Sequence, residues 1–324
     1  MTAANPPPMM RISSNMCGLF GMVRAPGDDH PERVSDAFVA LGALAEERGR
    51  DAAGMALFGD PPGEEPVVLG EDDRRSDVRH GGCRVVKGRG RFSGIWRHDL
   101  LAELDRAPIA LGHTRWATQG SPYALVNASP MVLPGGIVAT HNGDVDADDL
   151  RTRFALPPAL GTTDSEPVFQ LLSRRRTAAG VVAALESIVG RAALAWADRD
   201  RPGTVHLARA ALSPLTVAVD TAQNFYWASN PRWFREIQRH TRTRFVTAVQ
   251  LDEGTYLRIG PARPGGRPQI LTRADFVPTA RDFDLDPRVW TGFTPADEER
   301  DRARLRHRVA DLPSLTRGEL VSVG

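Results

Sequence analysis

PIALGHTRWATQG, residues 108–120, opens as an apolar strand and closes as a polar cluster. GGIVATH (135–141) has the same form and runs into Asn142-Gly143. Both read as buried strands that end in reactive side chains. Upstream, CGLFGMV (17–23) is a short apolar strand. DDHPERVSDAFVALGALAEER (28–48) follows it with helical spacing. Pro31 suits the first turn, an Asp or His precedes it as a cap, and Val34, Phe38, Leu41 and Ala45 mark the buried face. GRDAAGMALFGD (49–60) predicts a turn and a strand. Residues 60–105 are charged and Gly-rich and predict loops and edge strands. EPVFQLL (166–172) and AAGVVAALESIVG (178–190) predict helices. From RAALAWAD (191–198) to about residue 275, strands alternate with turns: TVHLAR, LTVAVD, NFYWAS, RFVTAV, GTYLRI. The order is strand, helix, many strands, grouped helices, more strands. That is not a regular βαβ alternation, so a doubly wound parallel sheet is disfavoured. Two packed antiparallel sheets flanked by helices, an α+β fold, are expected.

Charge narrows the function. The 41 basic and 40 acidic side chains nearly cancel, so no net field favours nucleic acid or an anionic membrane. No apolar run approaches the roughly 20 residues of a membrane span. The first sixteen residues, MTAANPPPMMRISSNM, lack the apolar core of a secretory signal, and a cytoplasmic location is expected. The two cysteines, Cys17 and Cys83, have no nearby His partners that would suggest zinc. The eight histidines show no HExxH or paired spacing, so neither a metal nor a cofactor is expected. Three segments follow: a leader over 1–16, a main domain over 17–275, and a tail over 276–324 with one helix starting near Thr294-Pro295.

A lone cysteine in a strand is ordinarily a small buried hydrophobe. Met16-Cys17-Gly18 is also how a translation start reads, because an initiator Met is removed before a small residue. With Cys17 as first residue, one residue carries a thiol and a free α-amine of pKa near 8. The amine then takes the thiol proton at neutral pH, which places nucleophile and base together. Residues 1–16 are accordingly expected to lie before the true start at Met16 or to be a cleaved propeptide.

Four polar clusters accompany Cys17: Arg48 to Gly54, Gly112 to Gly120, His141 to Gly143, and Thr163 to Glu166. Each is expected at a strand end or turn, where a scaffold presents function. They suit a free amino-acid amide. Arg115 offers a planar guanidinium for an α-carboxylate. Asp164 offers a carboxylate for an α-ammonium. Asn142 and the backbone N–H of Gly143 offer two donors for a tetrahedral oxyanion. Singly, Asn-Gly is a turn signal and Arg115 an ordinary ion-pair residue. His113 and His141 are expected to brace strands, Asp51 to pair near Arg48, and Trp227 and Trp233 to lie in the core.

MCGLFG, RGRDAAG, GHTRWATQG, HNG and TDSE together resemble the class II glutamine amidotransferases, in particular the glutaminase half of the sugar-aminating branch. The likeness runs from Cys17 to about residue 260 and includes RAALSPLTVAV and NFYWASNP. It implies a four-layer αββα sandwich of the N-terminal-nucleophile type. It implies Cys17 as nucleophile, Asn142 and Gly143 as oxyanion donors, and Arg115, Thr118 and Asp164 around the glutamine backbone. Arg48 would order the Cys17 terminus, and Trp116 would sit in a closing loop. Three positions depart from the pattern: Gln119 and Ser129 replace histidines, and Ala52 replaces a serine. Residues 276–324 are too few for the sugar-phosphate isomerase domain of that branch, so ammonia is expected to pass to a separate synthase, with homo-oligomers also possible. Two other readings stand beside this one. One is a hydrolase of a different γ-glutamyl amide. The other is a non-catalytic regulatory or assembly protein, should residues 1–16 stay attached.

Overall fold

A computed structural model describes residues 16–59, 66–199 and 203–282. Strands and helices are numbered in chain order. Nine strands form the first sheet, in the order β13 (Phe245–Gln250), β11 (Thr216–Asp220), β12 (Phe225–Ala228), β1 (Gly18–Val23), β6 (Ile109–Arg115), β2 (Ala52–Phe58), β5 (Cys83–Arg89), β4 (Arg75–His80) and β3 (Val67–Glu71). Six form the second: β15 (Pro268–Asp275), β14 (Thr255–Pro261), β10 (Val205–Arg209), β9 (Gly190–Asp198), β8 (Ile137–Val145) and β7 (Met131–Val132). Neighbouring strands in both sheets run antiparallel. The seven α-helices of the described residues are α1 (Pro31–Ala45), α2 (Phe92–Ile95), α3 (Leu101–Leu104), α4 (Ala147–Phe154), α5 (Ser165–Ser173), α6 (Ala178–Glu186) and α7 (Arg232–His240).

Alternation along β1 sorts the layers, because successive strand side chains face opposite ways. Leu19 and Val23 join a core with Leu111, Val138, Ala193, Leu207 and Leu257, drawn from both sheets. Phe20 and Met22 face outward and pack with Phe38, Leu41, Trp233 and Phe234 of α1 and α7. On the far side, Ile137, Ala139 and Leu194 pack with Val168, Leu172 and Leu185 of α5 and α6. The result is the expected αββα sandwich. Gly21 belongs to it sterically: a Cβ there would lie 2.1 Å from the Trp227 ring.

The helix after β1 starts at Pro31 as expected, and its four marked residues are fully buried. His30 occupies the cap position but makes no capping bond; its Nδ1 lies 3.0 Å from Glu32 Oε1. Three expectations need correction. The region 60–105 holds interior strands as well as an edge, since β5 lies between β2 and β4. Arg84 of β5 is neutralised there by Asp77 at 2.9 Å and Glu103 at 2.8 Å, which lets a charged strand sit inside a sheet. Within the stretch 230–241, read as turns, lies helix α7, whose only buried residues are Trp233, Phe234 and Ile237. Two elements lie outside the expectations, α4 over residues 147–154 and β15 over residues 268–275. His141-Asn142-Gly143 is not a strand end, because β8 continues to Val145. The helix expected near residue 294 lies outside the described residues, as does the leader before Met16. No described helix is long and apolar enough to cross a membrane.

Candidate active site

Cys17 sits immediately before β1, in the central region of the first sheet. Its Sγ lies 3.5 Å from the Trp116 carbonyl, and its own carbonyl accepts a 2.9 Å bond from Arg48 Nε. Arg48 is buried just past α1, so the helix end fixes the start of β1. In this chain the nitrogen of Cys17 is a peptide amide. Burial pushes the thiol up to about 11, partly opposed by the Arg115 guanidinium.

β6 pairs with both β1 and β2 and delivers Arg115 and the following loop. Thr114 Oγ1 donates to Ala45 O at 2.7 Å, tying the end of β6 to α1. Asp51 Oδ2 accepts the Ala117 N–H at 2.8 Å and holds the loop after Trp116. The Arg115 guanidinium is turned onto that same loop. It donates to the carbonyls of Gln119 at 2.6 Å, Gly120 at 3.0 Å and Ser121 at 3.2 Å. Gln119 Nε2 reaches Asp144 Oδ1 at 2.9 Å, and Arg281 also contacts Asp144. Asn127 closes the loop from below, with bonds to Ser121 O and to Thr162.

β8 brings the second sheet to the site. His113 Nε2 meets the His141 carbonyl at 2.9 Å, a direct link between the two sheets. Burial lowers the His113 pKa to about 3, so it stands neutral. His141 Nδ1 lies 2.9 Å from Ser165 Oγ. Gly143 has φ +155°, and a Cβ there would fall 1.9 Å from the Arg191 carbonyl. Only glycine lets β8 and β9 approach so closely here. Asn142 points from the neighbouring position into the fully buried interior, where its Nδ2 donates to Ser229 Oγ at 3.3 Å. Asp164, at the start of α5, accepts the Val145 N–H through Oδ2 at 2.9 Å.

Cys17, Arg115, Trp116, Thr118, Gly143 and Asp164 thus line one cleft, together with His113, His141, Ser129 and Gln119. Asn142 and Arg48 stand behind its wall. The cleft has about 20 Å³ of free space, room for about one water. Asn127, Asp144 and Ser229 were not singled out from the sequence. Ser229 lies in the NFYWASNP stretch, which carried the resemblance without a role for it, and Asn127 stands two residues before Ser129, one of the departures.

No protein-family model matches the chain. Among curated proteins, it is 28% identical over 275 residues to the glutamine–fructose-6-phosphate aminotransferase (isomerizing) of Pyrobaculum aerophilum, covering 81% of this chain and 38% of that protein. It is 31% identical over 222 residues to the enzyme of the same name from Streptomyces coelicolor, covering 65% of this chain and 31% of that one. The chain therefore spans about a third of the length of these relatives. Among solved structures, the glutamine phosphoribosylpyrophosphate amidotransferase of B. subtilis superposes with a TM-score of 0.53 at 17% identity, over 79% of this chain and 49% of that chain. An allosteric regulatory enzyme of purine biosynthesis gives 0.54 at 16%, over 83% and 51%. At these identities the two structures establish a shared fold alone. Over most of its length the chain is thus similar to part of the glutamine–fructose-6-phosphate aminotransferases. Two of the three sequence departures, Gln119 and Ser129, line the cleft. Gln119 uses its amide to hold Asp144, and Ser129 lines the wall. Ala52 is buried in β2, opposite Arg115 of β6.

Proposed function

We propose that this domain hydrolyses the side-chain amide of L-glutamine, with Cys17 as nucleophile once Cys17 is the first residue. The observation that carries this reading is the convergence of Cys17, Arg115, Thr118, Gly143 and Asp164 on one cleft, with Asn142 behind it. The freed α-amine takes the thiol proton. The thiolate adds to the amide carbon, and the oxyanion is held by the Gly143 N–H and the Asn142 amide. The α-ammonium returns its proton to the amide nitrogen, and collapse expels ammonia and leaves a glutamyl thioester on Cys17. Water then adds to the thioester and releases glutamate and the thiol. The Arg115 guanidinium exchanges its loop carbonyls for the substrate carboxylate, while Asp164 and Thr118 hold the amino end. Arg48 positions Cys17 through its carbonyl. Trp116 belongs to the loop that must open and close. The ammonia released serves an acceptor synthase.

A second reading has its own support. With residues 1–16 attached, Cys17 has no amine and its thiol is held neutral, and the cleft is nearly filled. That form is a silent precursor or a regulatory homologue. The deciding experiment compares the 324-residue chain with one translated from Met16. Intact mass reports whether Cys17 is the first residue, and glutamate release reports turnover. The processed form is expected to hydrolyse glutamine in preference to N-substituted glutamines, and Cys17→Ala to abolish turnover. Equal activity in the unprocessed chain, or turnover surviving Cys17→Ala, refutes the mechanism.

A further inference from the structure

Ser229 follows β12 directly and is 1% exposed. Its hydroxyl is the point where three elements meet. The Leu19 N–H donates to Ser229 Oγ at 3.0 Å, and Ser229 Oγ donates to the Leu19 carbonyl at 3.4 Å. The Ser229 N–H reinforces this with a 2.8 Å bond to the same carbonyl. Asn142 Nδ2 donates to Ser229 Oγ at 3.3 Å from the opposite sheet. Leu19 is two residues beyond Cys17 on the same strand. One hydroxyl therefore joins the strand that carries the thiol to the amide that faces it from β8.

Valence fixes what this hydroxyl does. A serine has one proton and two lone pairs. The proton lies on the Leu19 carbonyl, and the lone pairs take Leu19 N–H and one Asn142 N–H. With its proton committed to a carbonyl, the hydroxyl meets the amide as an acceptor, so Asn142 presents its nitrogen here. The terminal torsion of Asn is broad and roughly two-fold, so little within the side chain itself chooses between its two faces. Asn142 Oδ1 is buried and has no partner among the described residues, so it supplies no competing anchor. Ser229 is then what sets the amide's orientation. It leaves one N–H of Nδ2 unspent.

We propose that Ser229 is a positioning residue for the oxyanion site: it aims the Asn142 amide and registers it against the Cys17 strand. This rests on the reading above that Asn142 donates to the oxyanion. Ser229 itself exchanges no proton.

The test uses the chain whose first residue is Cys17. Ser229→Ala is expected to lower kcat for glutamine by about 10–100-fold with KM changed less than two-fold. That stays below the roughly 10²–10³-fold cost of removing an oxyanion donor outright, the loss expected for Asn142→Ala. The Ser229→Ala/Asn142→Ala double variant should match Asn142→Ala within two-fold, because residues acting through one contact are not additive. Alkylation of Cys17 by iodoacetamide forms no oxyanion, and its rate should be unchanged in Ser229→Ala. If Ser229→Ala fails to fold, Ser229→Cys keeps the volume, weakens the acceptor, and enters the same kcat cycle with Asn142→Ala. A kcat within two-fold of the parent overturns the proposal. So do fully multiplicative losses in the double variant, or alkylation slowed as much as kcat. A processed parent with no glutamine turnover overturns the proposed function and this inference with it; an active parent with an indifferent Ser229 overturns this inference alone.

Discussion

Leaving residues 1–16 attached should make Cys17 a slow thiol, and the structure says how slow. In the attached chain burial raises its pKa to about 11, from an ordinary 9.0. At pH 7 the thiolate fraction is then ~10⁻⁴, against ~10⁻² for the unperturbed group, and only the thiolate is nucleophilic. Iodoacetamide should therefore alkylate Cys17 of the attached chain about 100-fold more slowly than a free cysteine derivative at pH 7. The rate should climb about tenfold per pH unit and level off only near pH 11. Peptide mass spectrometry separates Cys17 from Cys83, which is fully buried and has its thiol pushed higher still. Removing the leader replaces the amide nitrogen of Cys17 by an amine of pKa near 8, which must be neutral to take the thiol proton. Glutamine turnover should then be low in acid and rise as the amine loses its proton, with no need to reach the thiol's own pKa. A plateau at or below pH 9 in the attached chain, or equal pH profiles for the two forms, would refute the reasoning.

Two further outcomes concern the fold around the site. Gly143→Ala places a methyl 1.9 Å from the Arg191 carbonyl and should cost ~3 kcal/mol as an overpacked strand pair, or roughly 6–12 °C in Tm; calorimetry showing a shift under 2 °C would contradict the placement of β8 against β9. Burial lowers the His113 pKa to about 3 and the His206 pKa to about 4, so between pH 6.5 and these values the unfolded chain binds protons the native fold refuses. Stability should therefore fall as pH drops, by ~2 kcal/mol from His113 alone between pH 6.5 and 4.5, and a urea midpoint that does not move over that range would count against it.

The parts of the molecule legible in the sequence are those where one local signal was enough. β9, β10, β11, β12 and β14 are short apolar strands between turn residues, and each falls where its run of residues predicted. Where local signals conflicted, tertiary contacts decided. β5 carries Arg84, Lys87 and Arg89, a composition suited to an edge, yet Asp77 and Glu103 neutralise Arg84 and the strand pairs on both sides. In α7 only Trp233, Phe234 and Ile237 are buried among four charged neighbours, too thin a stripe to be told from a turn. The site divides in the same way. The residue types needed to handle an amino-acid amide were readable, because guanidinium, carboxylate, amide and thiol each have a specific use. Their state was not readable. Arg115 is spent on three loop carbonyls, a choice made by the path of residues 116–121 and by Asp51, Asn127 and Asp144 that steer it. Asn142-Gly143 shows most directly why a motif underdetermines its geometry. In isolation the pair is a turn signal. Within β8 the same absent side chain lets the Arg191 carbonyl of the neighbouring strand pass within a distance no Cβ allows, and the strand runs on. Side-chain alternation then sends His141 and Gly143 toward the cleft and Asn142 into the interior, where its amide meets Ser229.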